Sequence, residues 1–260
     1  MSFMKWPRAS LKIGLVSLWT LGIEVALHVG FLFTLPSPRL AARWKSFILK
    51  TWSRGLLIIC GVRLHTVGDP PEAPFFLVSN HLSYVDIAVL GSLVGGVFVA
   101  KAEISEWPAI GFLCRSVETI FIDREIRREL PQVMREIERQ LGHGQSVILF
   151  AEGTSSSGAS VMPFRPALLE PAARAGLPVS YAAVSYRTPE GEPPAHLSVC
   201  WWGGMPFVPH ALEFFKLRRI DATVVFGDRQ FHGGDRKILA SELHAAVQDS
   251  FQPVVDKEDL

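Results

Sequence analysis

Beyond residue 61 the chain alternates between short apolar runs and longer stretches in which apolar residues recur every three or four positions. The short runs predict buried β-strands, and the longer period predicts amphipathic helices. Strands are predicted at 62–67, 75–80, 96–101, 118–123, 146–151, 177–186, 196–203 and 220–227, and helices at 84–93, 108–115, 125–141, 165–175, 206–217 and 235–250. Such alternation predicts an α/β fold, a mainly parallel sheet flanked by helices, with its chemistry where strands end.

The first part of the chain is more apolar. No Lys or Arg occurs from Ile13 to Leu35, and as a helix this segment would span about 35 Å, enough to cross a hydrocarbon core of ~30 Å. Glu24 and His28 lie four residues apart and share a helix face, which makes a simple spanning helix costly. Because basic residues flank both ends, the segment fits a helix that dips into one leaflet and returns.

A second helix is predicted over residues 40–61, after two prolines. Its apolar residues recur at three- and four-residue steps, with Arg43, Lys45, Lys50 and Arg54 between them. This pattern is typical of a helix at a membrane interface, although a helix packed on the protein's own core would show it too. Residues 1–60 are therefore predicted to be membrane-associated helices, and residues 61–260 a separate α/β domain.

The charge distribution divides the chain at the same point. Residues 1–60 carry eight Lys or Arg and one acid, a formal +7, which leaves −6 on the remainder of a chain whose total is +1. A chain that is neutral overall with a basic, apolar end favours a membrane surface and disfavours nucleic acid as a partner. Cys60, Cys114 and Cys200 lie far apart, which excludes a disulfide scaffold and a cysteine zinc site of the usual spacing. We expect no metal and no organic cofactor.

The motif SNHLSYVD (79–86) follows an apolar run and precedes a predicted helix. In one continuous helix His81 and Asp86 would face apart, so they can meet only at a corner between a strand end and a helix. Asp86 could then hold one imidazole nitrogen while the other faces a substrate hydroxyl as general base. A histidine that caps the helix, with an aspartate on its surface, is the simpler structural alternative.

Two further predicted strands end in polar clusters. ETIFIDRE (118–125) places Asp123 and Arg124 at a strand end, and a guanidinium there can bind phosphate, although an exposed charged helix start has the same pattern. LFAEGTSSSG (149–158) brings Glu152, Gly153 and Thr154 into a loop where glycine permits a close backbone approach. The serines lack the G-x-S-x-G spacing of a nucleophile elbow. Lys101, at the end of another predicted strand, could supply a further cation.

The blocks NHLSYVD, FIDR and AEGT, in this order, resemble the glycerolipid acyltransferases typified by 1-acylglycerol-3-phosphate acyltransferase, over roughly residues 61–230. The resemblance implies a glycerol-3-phosphate acyltransferase-like α/β fold with an N-terminal membrane-docking helix pair. It also implies His81 as the base, Asp86 as its orienting partner, and an acceptor site built by Asp123, Arg124, Glu152, Gly153 and Thr154. Lys101 matches a lysine that approaches the acceptor phosphate in this family.

The implied reaction transfers a fatty acyl group from acyl-CoA or acyl-carrier protein, as co-substrate, to the free hydroxyl of 1-acyl-glycerol-3-phosphate, which gives phosphatidate. Its expected partners are the lysolipid acceptor, the acyl carrier and membrane lipids, the last through residues 1–60. The expected location is the cell (inner) membrane, with the catalytic domain on the cytoplasmic side. A membrane-bound serine hydrolase that uses Ser155, Ser156 or Ser157 with His81 is a more distant alternative.

One departure from the family pattern concerns the acceptor. Members that act on lysophosphatidate usually follow Glu-Gly-Thr with Arg, and here Ser155 stands at that position. The missing guanidinium removes a charge-assisted contact worth about 1.5–3 kcal/mol. Lys101, Arg124 or Arg165 could substitute for it. The sequence GTSSSG followed by PFRPAL is also similar to enzymes that acylate lyso-ornithine lipid, which is the alternative acceptor.

Overall fold

The computed structural model describes residues 5–34, 37–122 and 130–259. The strands among them are β1 (Val62–Val67), β2 (Phe76–Ser79), β3 (Val97–Lys101), β4 (Ile120–Ile122), β5 (Val147–Phe150), β6 (Val179–Arg187) and β7 (Ile220–Phe226). They form one sheet in the order β1-β7-β6-β2-β5-β3-β4. Neighbouring strands are parallel except β6 and β7, which are antiparallel. The prediction of a mainly parallel α/β sheet is confirmed.

Helices precede the sheet and connect its strands. Within the described residues they are α1 (Lys5–Thr34), α2 (Pro38–Cys60), α3 (Val85–Val94), α4 (Ile110–Ser116), α5 (Leu130–Gly142), α6 (Pro166–Ala175), α7 (Ala195–Ser198), α8 (Phe207–Lys216) and α9 (Arg236–Ser250), with 3₁₀ turns at Ala102–Glu106 and Lys257–Asp259. Every residue of β2 and β5 is buried. A parallel strand covered on both faces has no solvent side, which is why these runs are continuously apolar.

The parallel strands bring three loops to one edge of the sheet. Ser79, the last residue of β2, pairs in register with Phe150 of β5 and Ala182 of β6. On the other side of β5, β3 also runs parallel. The loops that follow β2, β5 and β3 therefore leave the sheet side by side. The loops after β2 and β5 carry the motifs of His81 and Glu152, and β3 ends at Lys101.

The two N-terminal helices form an antiparallel pair that is tied together by tryptophans. The indole nitrogen of Trp19 donates to the Trp52 carbonyl oxygen at 3.0 Å, and that of Trp44 donates to the Leu27 carbonyl oxygen at 3.2 Å. Pro38 begins α2 because proline suits the first helical position, and Ser37 caps it. Gly61 ends α2 in the left-handed conformation, with φ of 76°.

One face of α1 leaves large apolar side chains exposed. This face carries Leu11, Leu15, Leu18, Leu21, Val25, Val29 and Leu32, with exposed fractions from 44% to 70%. By length and composition α1 could cross a membrane. An apolar stripe of this extent on a helix that packs on the protein by its other side is typical of membrane contact.

One predicted strand is wrong, and the structure favours one of the two alternatives for the second helix. The prediction of a strand at 196–203 is wrong. Residues Ala195–Ser198 form α7, and the following Val199 and Cys200 are buried without strand partners. Helix α2 packs on α3 and buries Ile48, Leu49 and Leu57, so much of its apolar stripe faces the protein's own core. The strand predicted over 118–123 is described as Ile120–Ile122, and residues 123–129 lie outside the described ranges.

Part of the basic charge at the N-terminus points into the protein. Lys12 Nζ donates to the carbonyl oxygens of Cys60 and Leu217, at 2.5 and 2.8 Å. Lys45 is buried, and its ammonium lies 2.6 Å from the carboxylate of Glu118. These two lysines therefore fasten α1 and α2 to the rest of the protein. The boundary at residue 60 stays a prediction.

Candidate active site

His81 and Asp86 meet at the corner between β2 and α3. Asp86 lies in the first turn of α3, and its Oδ2 is 2.7 Å from His81 Nδ1. The backbone between them turns so that the N–H groups of Leu82 and Ser83 donate to the same oxygen, at 2.7 and 2.9 Å. His81 and Asp86, which would face apart in one continuous helix, are thus brought together by this turn.

The surroundings of Asp86 determine which nitrogen of His81 carries the proton. Asp86 is fully buried, and its second oxygen accepts a hydrogen bond of 2.6 Å from the Tyr186 hydroxyl. Burial and the neighbouring Asp86 raise the pKa of Tyr186 far above its usual value, so the hydroxyl remains a donor. A carboxylate held by three other donors accepts from Nδ1–H, which leaves His81 Nε2 free to accept a proton.

Glu152 supports the same corner from the loop after β5. Its Oε1 accepts from the His81 backbone N–H at 2.8 Å, and its Oε2 accepts from the Met162 N–H at 3.2 Å. The side chain is 1% exposed. Burial raises its pKa to about 8, even though both N–H donors act in the opposite direction. The sequence predicts Glu152 as an acceptor-binding residue, and the structure places its carboxyl group against the His81 backbone.

The rest of the Glu-Gly-Thr loop wraps around His81. Gly153 has a φ of 76°, a conformation that glycine adopts without strain. Gly153, Thr154 and Ser155 line a cavity next to His81, and the Ser156 N–H donates to the His81 carbonyl oxygen at 3.0 Å. The Ser155 hydroxyl donates to the Trp201 carbonyl oxygen. A serine nucleophile would require a hydrogen bond between its hydroxyl and His81. Within the described residues no serine hydroxyl makes this bond.

The two predicted cations within the described residues differ in their position relative to the cavity. Lys101 is exposed and lines the cavity. Arg165 donates through Nε to the Glu152 carbonyl oxygen at 3.2 Å and does not belong to the described lining. Asp123 and Arg124 lie outside the described residues. Among the described residues, no cluster of His, Cys, Asp or Glu has the arrangement of a metal site.

The cavity beside His81 has a volume of about 660 Å³ and a mostly apolar wall. It lies between the α1–α2 pair and the sheet edge, and it extends to α4 and α8. The His81 ring stacks on Phe150 with centroids 4.2 Å apart, so the imidazole forms part of the wall. The wall is completed by residues of the N-terminal helices (Val16, Ile23, Leu27, Trp52), of α3 and β3 (Ile87, Phe98), and by Trp107, Leu113, Trp201 and Phe207.

Two supporting residues were missed by sequence reasoning. Tyr186 lies 100 residues from Asp86, at the end of the predicted strand 177–186, and its pairing with Asp86 depends on the strand order. Phe150 is the last residue of another apolar strand, and its stacking on His81 depends on strand order. A search for polar groups at strand ends could have found the Tyr186 hydroxyl, whereas no local signal marks Phe150.

Comparisons with known proteins find similar sequences that are described as acyltransferases. A family model described as Acyltransferase matches residues 62–185. A Brucella abortus protein described as lyso-ornithine lipid O-acyltransferase is 32% identical over 80% of this chain and 83% of its own. A Neisseria meningitidis protein described as 1-acyl-sn-glycerol-3-phosphate acyltransferase is 32% identical over 57% of this chain and 62% of its own.

A solved structure shows the same fold. The crystal structure of the 1-acyl-sn-glycerophosphate (LPA) acyltransferase PlsC from Thermotoga maritima superimposes with a TM-score of 0.62 and 19% sequence identity. The match covers 93% of this chain and 97% of that one, so it includes the N-terminal helices. At this identity the likeness concerns the fold.

Proposed function

Because this chain belongs to the acyltransferase family, we propose that it transfers a fatty acyl group from a thioester to the free hydroxyl of a lysolipid. The observation that carries the proposal is the His81–Asp86 pair at the wall of a large apolar cavity. The free Nε2 supplies a base, and the cavity supplies space for an acyl chain. The polar catalytic base and the binding space for an apolar chain thus lie next to each other.

In the proposed reaction His81 Nε2 takes the proton of the acceptor hydroxyl as its oxygen attacks the thioester carbonyl carbon. The tetrahedral intermediate then collapses, the carbon–sulfur bond breaks, and the thiolate leaves with the proton that the imidazolium returns. Asp86 keeps the imidazole in the correct tautomer and stabilises its charged form. The acyl group passes directly from sulfur to oxygen without an acyl-enzyme.

The neighbouring residues have supporting roles in this proposal. Glu152 positions His81 through its backbone, and Gly153 lets the loop approach the reacting atoms. Lys101 and Thr154 line the cavity where an acceptor head group would enter. Asp123, Arg124 and Arg165 stay predicted acceptor-binding residues.

Two acceptors are candidates, and each is favoured by an observation. The Neisseria relative, which is described as a 1-acyl-sn-glycerol-3-phosphate acyltransferase, favours 1-acyl-glycerol-3-phosphate, with phosphatidate as the product. Ser155 and the longer match to the Brucella relative favour lyso-ornithine lipid, whose head group is an amino acid. Within the described lining one cationic side chain, Lys101, accompanies the carboxyl groups of Glu24 and Glu103. Such a lining suits a zwitterionic head group better than a dianionic phosphomonoester.

The proposed location follows from the substrates. The exposed apolar face of α1 would lie in the lipid and bring the cavity to the membrane surface. Acyl-CoA and acyl-carrier protein are soluble carriers of the cytoplasm, so we place the domain on the cytoplasmic side of the cell membrane. Either carrier can supply the thioester.

The test offers the purified full chain both lysolipids and both donors, and measures release of the carrier thiol. His81→Ala is expected to lower acyl transfer by about 10²–10⁴-fold, the usual contribution of a general base. His65→Ala is the matched control, because His65 lies exposed on β1. Equal transfer by His81→Ala and wild type would contradict the mechanism, and labelling of a serine by a fluorophosphonate would support the hydrolase instead.

The acceptor is tested by a substitution at Ser155. Ser155→Arg adds a guanidinium to the cavity wall and is expected to raise turnover of lysophosphatidate relative to lyso-ornithine lipid by about 10-fold or more. Ser155→Gln, of similar length but uncharged, is the control. If wild type already prefers lysophosphatidate strongly, the argument from Ser155 is wrong.

A further inference from the structure

The Asp86 carboxylate has a side-chain donor that takes no direct part in the proposed reaction. The Tyr186 hydroxyl donates to Asp86 Oδ1 at 2.6 Å, whereas Oδ2 faces His81 Nδ1 and the backbone N–H groups of Leu82 and Ser83. Tyr186 is 1% exposed and does not belong to the described lining of the cavity. Any effect of this hydroxyl on the reaction must therefore pass through Asp86.

The sheet holds Tyr186 in this position. The Asn80 side chain accepts from the Val184 N–H at 2.7 Å and donates to the Val184 carbonyl oxygen at 2.9 Å. Asn80 is fully buried and lies between Ser79, the last residue of β2, and His81. Its two hydrogen bonds continue the pairing of β2 with β6 beyond the end of β2. The histidine segment and the strand that carries Tyr186 are thus held in register.

A donor on Oδ1 changes how strongly Asp86 attracts a proton on His81. A carboxylate stabilises an imidazolium through its negative charge, and each further donor that it accepts from disperses part of that charge. Tyr186 therefore weakens the pull of Asp86 on the imidazolium. This effect matters because a general base must be free of its proton before the reaction, and it works best when its proton affinity matches the operating pH.

Several neighbouring elements bring further titratable side chains to this corner and to the adjoining cavity. They are Glu24 of α1, Tyr84 before α3, Lys101 and Glu103 at the end of β3, Glu152 after β5, Arg165 before α6, Cys200 after α7 and His210 of α8. Burial raises the pKa values of Tyr84, Cys200 and Glu152, the last to about 8, and lowers that of His210, so these groups are neutral near pH 7. Among the described hydrogen bonds and ion pairs, none joins the remaining charged groups to Asp86.

We propose that the Tyr186 hydroxyl sets the proton affinity of His81 by sharing the negative charge of Asp86. The imidazole is thereby kept neutral, and able to act as a base, at a lower pH than Asp86 alone would allow. The inference rests on the proposed acyl transfer and adds to it a positioning residue that tunes the base.

The experiment measures kcat/KM for acyl transfer by the full chain from about pH 5 to about pH 9, with a palmitoyl thioester and a lysolipid. Tyr186→Phe should move the midpoint of the acid limb to higher pH by about 0.5–1 pH unit, which makes transfer about 3- to 10-fold slower on the acid side. Above both midpoints the variant should be at least as fast as wild type, because its base is stronger.

The matched control is Tyr181→Phe. It removes a hydroxyl from the same strand, where the Tyr181 ring packs edge-on against Phe231 and has no contact with Asp86. This variant should keep the wild-type profile. All variants retain the other titratable groups at this corner, so the contribution of those groups is the same in every profile.

Histidine NMR follows the same equilibrium without turnover. The full chain with isotope-labelled histidine is titrated in detergent micelles, and the His81 resonance is identified by its absence from His81→Ala. In Tyr186→Phe this resonance should titrate at higher pH by the same amount as the acid limb. The exposed His65 on β1 should titrate at one pH in every variant.

A stronger donor at the same position tests the sign of the effect. Tyr186→fluorotyrosine keeps the hydroxyl and makes it a stronger donor, because fluorine withdraws electrons from the ring. The midpoint should then move to lower pH, opposite to the shift in Tyr186→Phe. A change of packing alone gives no reason for opposite shifts, and this variant keeps the test decisive if Tyr186→Phe folds poorly.

The outcomes separate this inference from the proposed function. Midpoints that stay at the wild-type pH in both variants, or that move in the same direction in both, would overturn the role of Tyr186 and leave acyl transfer intact. An equal loss of kcat at every pH, with the His81 titration unchanged, would reduce Tyr186 to a structural residue. Absence of transfer by wild type would instead refute the proposed function, and the NMR titration would still decide whether Tyr186 acts on His81.

Discussion

Replacing Glu152 by glutamine is expected to change how the stability of the folded chain depends on pH. The carboxyl group is 1% exposed, and burial raises its pKa from an ordinary 4.5 to about 8. Between these values the folded state holds a proton that the unfolded state releases. The folded state therefore binds more protons, and the free energy of unfolding falls as pH rises through this window.

The magnitude follows from the size of the shift. Each pKa unit corresponds to about 1.36 kcal/mol, so ionisation of Glu152 removes at most roughly 5 kcal/mol of stability by pH values above about 8. Glutamine does not ionise and removes this dependence. Its amide NH₂ group cannot accept from the Met162 N–H, which costs about 1–3 kcal/mol at every pH. The variant should be less stable than wild type in acid and more stable in alkali.

Urea unfolding followed by tryptophan fluorescence, in detergent micelles from about pH 5 to about pH 9, measures this crossing. Glu213→Gln is the control, because Glu213 is 62% exposed in an ion pair with Lys216, and it should leave the slope of wild type unchanged. If Glu152→Gln retains the wild-type slope, or if wild-type stability rises with pH across this range, then Glu152 is not the buried neutral group described here.

Three further predictions concern the N-terminal helices. Lys45→Met should lower the free energy of urea unfolding by about 1–3 kcal/mol, because it leaves the partly buried Glu118 without its closest cation; Arg139→Gln, at the exposed side of the same carboxylate, should cost less. Burial acts to raise the pKa of Glu118, but the hydrogen bonds from Lys45 and Gln140 outweigh burial and lower this pKa to about 2. The stability from this cluster is thus complete above about pH 4.5 and lost as pH falls towards 2, a transition that acid titration should show weakened in Lys45→Met. Leu18→Glu, on the exposed face of α1, should weaken cosedimentation with anionic vesicles by about 10- to 100-fold, whereas Ile238→Glu on α9 should not.

Several elements could be read directly from the chain. The apolar runs at Phe76–Ser79 and Val147–Phe150 are strands, because a strand covered on both faces contains consecutive apolar residues. Residues 196–203 are also rich in apolar residues but form α7 and an irregular segment. Val199 and Cys200 are fully buried there, and the indole nitrogens of Trp201 and Trp202 donate to nearby carbonyl oxygens, although the segment pairs with no strand among the described residues. An apolar composition indicates that a segment is buried, but it does not indicate which groups form hydrogen bonds with its backbone.

The sequence by itself determined the α/β class, the order of the strand-end motifs and their family resemblance. It could do so because side-chain periodicity and short motifs are local, and parallel strands necessarily bring their carboxyl ends to one edge. The tertiary structure alone decided the contacts between distant residues. The Tyr186 hydroxyl donates to Asp86, and Glu152 accepts from the His81 backbone N–H. Lys45 forms an ion pair with Glu118, and Glu24 lines the cavity. These partners lie 71 to 100 residues apart in the two catalytic contacts. Their meeting depends on strand order and helix packing, which no local pattern encodes.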